Sequence, residues 1–319
     1  MFVSCGDALF DLFATDGEAL GDIRLGGHVG GSPLNVAVGL ARLGNASSYL
    51  CKNSTDTFGT RIRRYLHENG VGCDLLVPSD RNSTLAIVET DAGGSASYVF
   101  YTNGTADRSL EESELPPIPE EAALVHVGSY STATEPTADA LLALVRRERT
   151  ARVISYDPNV RLSIEPDTDL WRERFAGFAA CADFVKASDE DIAALRGSSC
   201  SLESFAADTL ALGPRLVAVT RGSIGALLFA ADGRSAEAVG VRVTVQDTVG
   251  AGDTFQACTL HRLRASDALD GGRLNTDALD LQALADFAAS GAALTCTRSG
   301  ADLPTLDELE AFMAERGAR

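Results

Sequence analysis

Apolar and polar positions alternate in a regular order through the second half of the chain. Short apolar runs stand at 124–127, 153–156, 184–185 and 216–220. Segments with helical spacing separate them, at 135–149, 168–181, 189–196 and 202–212. Strands that alternate with helices in this way form a mainly parallel sheet with helices on both faces. The pattern therefore predicts an α/β fold.

The first half of the chain begins with the same elements. An apolar run at Phe2–Cys5 predicts a buried strand that ends at Gly6. Ser32 suits an N-cap and Pro33 suits the first helical position, which predicts a helix that ends near Gly44. A second helix is expected at 57–69.

Two other segments have the pattern of β-hairpins. Residues 12–29 are rich in glycine and polar side chains, and residues 84–107 contain alternating runs at 85–88 and 98–101 around Gly93-Gly94. These segments predict a small β lid beside the main sheet. Exposed edges on its strands would allow pairing with a second copy, so a homodimer through the lid is expected.

The main candidate for chemistry is the stretch from Asp247 to Phe255. An alternating run at 239–245 predicts a strand, Gly250-Ala251-Gly252 a turn, and the following residues a helix to about residue 263. The uncovered N–H groups of such a turn and helix start can bind a phosphate. Asp253 would meet the acceptor hydroxyl there, with a pKa lowered by the helix terminus. The alternative is a loop with an N-capping aspartate, since Gly-x-Gly-Asp occurs by chance in about one chain in ten of this length.

Polar residues also follow several other predicted strands, at the sheet edge where α/β proteins bind ligands. Asp7 and Asp11 follow the first strand, 157–161 ends in Arg161, and Gly222 and Gly225 follow Thr220. Asp7 and Asp11 have a simpler explanation as a solvated strand end, and the glycines after Thr220 as an ordinary turn between strands, whereas Arg161 could reach a phosphate or a sugar. The acidic run after Ser188 is equally well explained as helix capping.

Composition limits the classes of function. The net charge of −18 argues against nucleic acid and anionic membranes as partners, because both require basic surfaces. An early carboxylate, Asp7, and the lack of long apolar runs predict a cytoplasmic protein. The seven scattered cysteines suggest neither a disulfide framework nor a zinc site. Only two lysines occur, Lys52 and Lys186, so one of them is a candidate for a specific point charge; the alternative is that both are simply solvated.

With these motifs in order, the sequence resembles the ribokinase-like (phosphofructokinase-B) family of carbohydrate kinases along nearly its whole length. Residues 247–255 match the C-terminal signature of that family, and Gly30-Gly31-Ser32-Pro33-Leu34-Asn35-Val36-Ala37 matches its N-terminal sugar-binding signature. The resemblance implies a three-layer ribokinase-like sandwich in which residues 1–319 form one kinase domain with a small β lid.

The resemblance also implies roles for individual residues. Asp253 would be the catalytic base, and Gly250, Ala251 and Gly252 would form the anion hole. The sugar would be held by Asp11, Gly30, Gly31 and Asn35, to which we add Phe100 and Arg161. ATP would lie against Thr220, Gly222 and Gly225, with Lys186 and Ser188 in the same set. Asp247 and the turn near Gly300 would help to bind a monovalent cation such as K⁺, and Asp191 would orient the hydration shell of Mg²⁺. Asp191 departs from the family pattern, which often has a longer glutamate at this point.

The expected reaction is ATP-dependent phosphorylation of the primary hydroxyl of a neutral sugar, with fructose 6-phosphate as the product from fructose. The lid strand is followed by Thr102-Asn103, without the arginine that binds the carboxylate in kinases of 2-keto-3-deoxygluconate. Such a keto-acid kinase, or another sugar or nucleoside kinase of the family, is the alternative. A noncatalytic sugar-binding or regulatory protein is the alternative from another class. No Gly-x-Gly-x-x-Gly follows the first strand, which argues against a dinucleotide oxidoreductase, and no Walker motif occurs.

Overall fold

A computed structural model describes residues 1–16, 21–90 and 96–317. Its strands are β1 (Phe2–Cys5), β2 (Leu9–Asp16), β3 (Ile23–Gly30), β4 (Ser47–Leu50), β5 (Lys52–Ser54), β6 (Val71–Gly72), β7 (Val77–Ser79), β8 (Thr84–Thr90), β9 (Ala96–Tyr101), β10 (Leu124–Gly128), β11 (Val153–Asp157), β12 (Phe184–Ser188), β13 (Leu216–Thr220), β14 (Gly225–Ala230) and β15 (Ser235–Val239). Its α-helices are α1 (Ser32–Arg42), α2 (Thr57–Glu68), α3 (Thr137–Glu148), α4 (Thr168–Ala179), α5 (Asp189–Arg196), α6 (Leu202–Leu212), α7 (Ala251–Ala265), α8 (Leu281–Thr295) and α9 (Leu306–Gly317).

Nine strands form the central sheet, in the order β15-β14-β13-β12-β11-β10-β1-β4-β6. The strands from β13 to β6 pair in parallel, and β14 and β15 add an antiparallel hairpin at one edge. The predicted α/β fold with a mostly parallel sheet is confirmed.

Successive residues of the strands face opposite sides of the sheet, so the sheet has a hydrophobic core on each face. Leu124 packs with residues of α1, α7 and α8, whereas its neighbour Val125 packs with residues of α3, α4, α5 and α6. Trp171 of α4 and Phe255 of α7 are among the largest fully buried side chains. The sheet is therefore the middle of three layers.

A second sheet has four strands in the order β3-β2-β8-β9. Both predicted lid segments contribute strands to it, and we call this sheet the β lid. The strands β2 and β8 pair in parallel, and each forms an antiparallel pair with its outer neighbour. The predicted turn at Gly93-Gly94 lies outside the described residues. A short third sheet joins β5 and β7.

The predicted strand at 239–245 is wrong. The strand β15 ends at Val239, and residues 240–248 have no regular secondary structure. Gly240 still donates its N–H to the Ile224 carbonyl, but further on Gln246 donates to the carbonyl of Cys296, at the end of α8. The alternating residues thus leave the sheet edge and lie along a helix end, where no neighbouring strand pairs with them among the described residues.

Candidate active site

The carboxyl ends of the parallel strands bring the candidate residues to one edge of the sheet, as expected for an open α/β fold. Asp7 follows β1, Asp157 ends β11, and Ser188 ends β12. The start of α7 faces this edge, because Gly252 lies close to Lys186 of β12. The site is therefore assembled from segments far apart in sequence.

The glycine-rich turn provides the helix start that the sequence predicted. Gly250 adopts a left-handed conformation, with φ of 78°, as the N-cap of α7. A Cβ at this position would lie 2.8 Å from Ala301 Cβ, so a side chain would clash as well as strain the backbone. The first N–H groups of α7 have no acceptors within the helix, although the Ala251 N–H donates to the Thr248 carbonyl at 3.3 Å, in the turn before the helix. Gly250, Ala251 and Gly252 form a potential anion hole.

Asp253 lies in the first turn of α7 and is 8% exposed. Ser32 Oγ donates to its Oδ1 at 2.6 Å, and Asn35 Nδ2 donates to its Oδ2 at 2.8 Å. Burial raises the pKa of Asp253, and the bonds from Ser32 and Asn35 oppose this rise. The expectation of a lowered pKa was therefore wrong, because burial outweighs the hydrogen bonds from Ser32 and Asn35 and the positive charges of Lys186 and Arg161.

Ser32 does not have its expected capping role. Gly31 is the N-cap of α1, and within the described residues no side chain caps that helix end. The Ser32 hydroxyl instead contacts Asp253, more than 200 positions away in sequence. The sequence did not reveal this contact, because a Ser-Pro pair looks the same whether the serine caps its own helix or binds a distant aspartate.

The Gly30-Gly31 pair permits close contacts within the protein itself. A Cβ on Gly31 would lie 2.5 Å from the carbonyl oxygen of Asp7, and one on Gly30 would overlap Oδ2 of Asp11. Gly31 also has φ of 118°, a region that other residues rarely adopt. These glycines let the start of α1 approach β2, which brings Asn35 and Asp11 to the same site.

Asp11 belongs to the β lid, whereas Asn35 and Asp253 belong to the helical layer. Burial raises the pKa of Asp11 to about 6, and the charges of His28 and Arg161 oppose the rise. His28 is the direct cross-strand partner of Asp11, a position that sequence reasoning missed. A potential sugar site therefore lies between the β lid and the helices α1 and α7.

Asp7 is almost fully buried, at 1% exposed. Burial and the nearby charge of Asp107 raise its pKa to about 7, and its carbonyl accepts a hydrogen bond from the Tyr49 hydroxyl at 2.5 Å. These contacts place Asp7 in the protein interior beneath the site.

Phe100 and Arg161 approach the same region from two sides. Phe100 pairs with Ala86, which in turn pairs with Asp11, so the three form one row across the β lid. Arg161 is exposed, and its charge lowers the pKa of both Asp11 and Asp253. Both residues lie near the site at which the sugar was expected.

Lys186 is buried and pairs with Asp157, with 2.7 Å between Nζ and Oδ2. A Cβ on Gly252 would lie 3.2 Å from Lys186 Nζ, which places this cation beside the start of α7. The alternative that both lysines are simply solvated was wrong, because the side chains of Lys52 and Lys186 are only 12% and 6% exposed.

Ser188 and Asp191 form a capping box at the start of α5. Asp191 Oδ2 accepts from the Ser188 N–H at 2.8 Å, and its Oδ1 accepts from the Val160 N–H at 2.7 Å. Asp191 thereby ties the 157–161 turn to α5. The metal role of Asp191 and the nucleotide role of Ser188 stay predictions.

Thr220, Gly222 and Gly225 lie where β13 turns into β14. Gly225 has φ of 117°, and a Cβ there would overlap the Ala238 carbonyl oxygen, so the hairpin itself requires this glycine. Gly222 has open space around it. The turn thus has room beside it, and the nucleotide role of these residues stays a prediction.

Asp247 links the glycine-rich turn to the segment after α8. Its Oδ1 accepts from the Val249 N–H at 3.0 Å, and its Oδ2 accepts from the Gly300 N–H at 2.8 Å. Asp247 and Gly300 are the positions at which a monovalent cation was expected. The structure brings them together.

No group of three or more histidine, cysteine, aspartate or glutamate side chains is arranged to hold a metal ion in residues 1–16, 21–90 and 96–317. Across the same residues, none of the helices combines the length and the apolar character needed to cross a membrane.

Known proteins share this fold along nearly the whole chain. A family model described as pfkB family carbohydrate kinase matches residues 2–308. A fructokinase of Rhizobium leguminosarum bv. trifolii is 35% identical over 286 residues, which cover 89% of this chain and 85% of that protein. The crystal structure of a Xylella fastidiosa fructokinase with bound ATP aligns with a TM-score of 0.88 at 27% identity, covering 99% of this chain and 98% of that one. A Vibrio cholerae O395 fructokinase, crystallised with fructose, ADP and calcium ion, aligns with a TM-score of 0.83 at 28% identity, over 98% of both chains.

Proposed function

Because the chain belongs to the pfkB family of carbohydrate kinases, as its two signature motifs predicted, we propose that it phosphorylates fructose with ATP to give fructose 6-phosphate. One observation carries the proposal. Asp253 lies buried at the start of α7, where its two oxygens accept hydrogen bonds from Ser32 and Asn35. A carboxylate beside an anion-binding helix start is the arrangement that transfer of a phosphoryl group to a hydroxyl requires.

In the proposed reaction the sugar hydroxyl attacks the γ-phosphorus of ATP. A new O–P bond forms, the bond from that phosphorus to the bridging oxygen breaks, and ADP leaves with the electron pair. The hydroxyl proton passes to Asp253. Since the transition state is loose, the proton is lost late and a weak base is sufficient. The N–H groups of Gly250, Ala251 and Gly252 would stabilise the charge on the transferred group.

The kinase reaction uses ATP together with a divalent metal ion, which we propose to be Mg²⁺. Mg²⁺ usually binds through substrate phosphates and a few carboxylates, with water completing its shell. Asp191, buried at the start of α5, supplies a carboxylate at this edge of the sheet. Asp191 would act on the hydration shell, because both of its oxygens already accept hydrogen bonds from the protein. The ion would neutralise phosphate charge during the transfer.

Fructose as the acceptor is supported by the relatives, which include fructokinases at 35% identity. Asp11 and Asn35 would bind sugar hydroxyls, Gly30 and Gly31 would allow the close approach, and Phe100 and Arg161 would border the site. Arg161 is also the residue that would meet a carboxylate if the substrate were a keto-acid.

For the nucleotide we propose the turn after β13, with Thr220, Gly222 and Gly225, together with Lys186 and Ser188 at the end of β12. The buried charge of Lys186 beside Gly252 supports its place near the phosphates. Asp247 would contribute to a K⁺ site next to the anion hole, which its bonds to the Val249 and Gly300 N–H groups support.

We propose that the β lid covers the sugar and also forms a homodimer interface. Ile23 and Leu25 on β3, and Val99 and Tyr101 on β9, are between 48% and 61% exposed, so both outer strands of the lid carry exposed apolar side chains. Exposed outer strands can pair with another chain. A cytoplasmic location is part of the same proposal. A monomer in sedimentation at micromolar concentration would exclude the dimer.

The test is ATP- and metal-dependent phosphorylation of fructose, ribose, adenosine, 2-keto-3-deoxygluconate and fructose 6-phosphate. The wild type is expected to prefer fructose, and Asp253→Asn to abolish turnover while the fold is retained. Asp208→Asn makes the same change at an exposed position of α6 and should leave turnover unchanged.

Each other outcome would point to a different conclusion. Preference for the keto-acid would identify Arg161 as the carboxylate partner and refute fructose. No turnover with any sugar would refute the kinase assignment and favour a sugar-binding or regulatory protein.

A further inference from the structure

A buried ion pair lies directly beside the anion hole. Asp157 and Lys186 are neighbours on the parallel strands β11 and β12, and their side chains are 0% and 6% exposed. Lys186 is not simply a structural cation, because its ammonium group lies 3.2 Å from the position that a Cβ on Gly252 would occupy. The buried ammonium group of Lys186 can therefore interact with an anion bound at the start of α7.

Lys186 retains donors that the described part of the chain does not use. Among the described residues, its ammonium group donates one hydrogen bond, to Asp157 Oδ2 at 2.7 Å. Lys52 differs, since its ammonium group contacts the Ser109 carbonyl and both oxygens of Glu114. An ammonium group has three N–H donors, so Lys186 can bind a further acceptor beside Gly252.

The main chain of Asp157 is held in place independently of Lys186. Its carbonyl accepts from the Ser129 N–H at 3.0 Å, and a Cβ on Gly128 would lie 2.6 Å from that oxygen, so β10 packs closely against it. Its second carboxylate oxygen, Oδ1, is buried without a hydrogen-bond partner within the described residues. The buried carboxylate of Asp157 therefore has Lys186 as its hydrogen-bond partner among the described residues, and this bond orients the ammonium group of Lys186.

We propose that Lys186 donates to the transferred phosphoryl group and that Asp157 is the positioning residue that aims it. This inference rests on the proposed function and deepens it, since it names the group that Lys186 contacts. Lys186 forms and breaks no covalent bond; its charge stabilises the oxygens of the phosphoryl group while the bond to ADP breaks and the bond to the sugar forms. Asp157 does not touch the substrate and acts only through Lys186.

The test compares Asp157→Asn, Lys186→Met and the double variant with wild type in fructose phosphorylation. Loss of one preorganised donor typically lowers kcat about 10²- to 10³-fold, which is expected for Lys186→Met. Asp157→Asn should lower kcat about 10-fold or more by the same mechanism, with KM for fructose nearly unchanged. The double variant should be no slower than Lys186→Met, because Asp157 has no role once the lysine is absent.

A sugar-independent measurement separates this inference from the proposed function. Calorimetry with ADP and with a non-hydrolysable ATP analogue should show that both single variants lose affinity for the triphosphate but keep their affinity for ADP. Lys52→Met, which removes the other lysine, should keep both affinities.

Thermal unfolding identifies variants that fail to fold, and the double variant avoids leaving a single buried charge. Multiplicative losses of kcat in the double variant, or unchanged triphosphate affinity in both single variants, would overturn the inference. A wild type that binds the analogue through Lys186 but phosphorylates no sugar would support the inference and refute the proposed function.

Discussion

The substitution Ser32→Ala isolates what holds the proposed base in its ionised form. In the wild type the Ser32 hydroxyl donates to Asp253 Oδ1 at 2.6 Å, and both side chains are buried. Burial raises the pKa of Asp253, and the Ser32 hydrogen bond is the leading influence that lowers it. Asn35 also donates to Asp253, but it is a proposed sugar ligand, so its substitution would change two properties at once.

The size of the effect follows from the type of bond that is lost. A hydrogen bond to a charged group contributes about 1.5–3 kcal/mol, and here it stabilises only the ionised carboxylate. Without it the pKa of Asp253 rises further, and the active, ionised form is lost at a higher pH as the solution is acidified. On the acid limb of the pH profile, kcat should fall about tenfold or more relative to wild type. On the plateau, where Asp253 is ionised in both proteins, kcat should be nearly unchanged.

The assay is kcat for fructose phosphorylation at saturating ATP and metal, measured from the acid limb to the plateau. Ser32→Thr keeps the hydroxyl and should keep the wild-type profile. Ser204→Ala makes the same deletion at an exposed position of α6 and should also leave it unchanged. An acid limb that does not move in Ser32→Ala would refute the reasoning, as would an equal loss of kcat at every pH.

Three further predictions concern the sugar, the fold and the cation. KM for fructose should rise as the pH falls below about 6, because the raised pKa of Asp11 leaves its carboxyl protonated there; Asp11→Asn should have a high KM at every pH, measured by initial rates. Gly31→Ala should lower the free energy of unfolding by about 1–3 kcal/mol, because Gly31 has a positive φ and lies close to the Asp7 carbonyl. Gly177→Ala, on α4, should not lower it, because a Cβ there would lie at an ordinary contact distance from Leu142. Urea unfolding of the two variants measures the difference. Asp247→Ala should abolish any stimulation of turnover by K⁺ over larger organic cations, and an equal stimulation in both proteins would contradict the proposed site.

The fold was predictable because its evidence is local. The parallel strands β1, β10, β11, β12 and β13 contain short apolar runs, and their alternation with helices predicts a layered α/β architecture. The parallel strands β4 and β6 were not predicted, because Ser47–Leu50 is half polar and Val71–Gly72 has only two residues. The prediction of a strand at 239–245 was wrong. Alternation of apolar and polar residues shows that successive side chains prefer different surroundings, but it does not show that a neighbouring strand is present to pair with them. Val239 ends β15, whereas Val245, at 59% exposed, lies beyond the sheet edge.

The site was predictable only in part, because its contacts depend on the order of strands in the sheet. Asp253 was identified from its glycine-rich turn, which is continuous in sequence. The pairing of Asp157 with Lys186 requires that β11 and β12 be neighbours, and the contact of Ser32 with Asp253 requires that α1 and α7 pack together. The raised pKa of Asp253 depends on burial, which a single motif does not record.

The near absence of lysine has a practical consequence for chemical modification. The chain has 27 basic residues, yet only Lys52 and Lys186 carry side-chain amines, and both are largely buried in ion pairs. Amine-reactive dyes and surface-coupling reagents should therefore attach mainly at the N-terminal amine. Slow inactivation by such a reagent, with protection by bound nucleotide, would report directly on the exposure of Lys186.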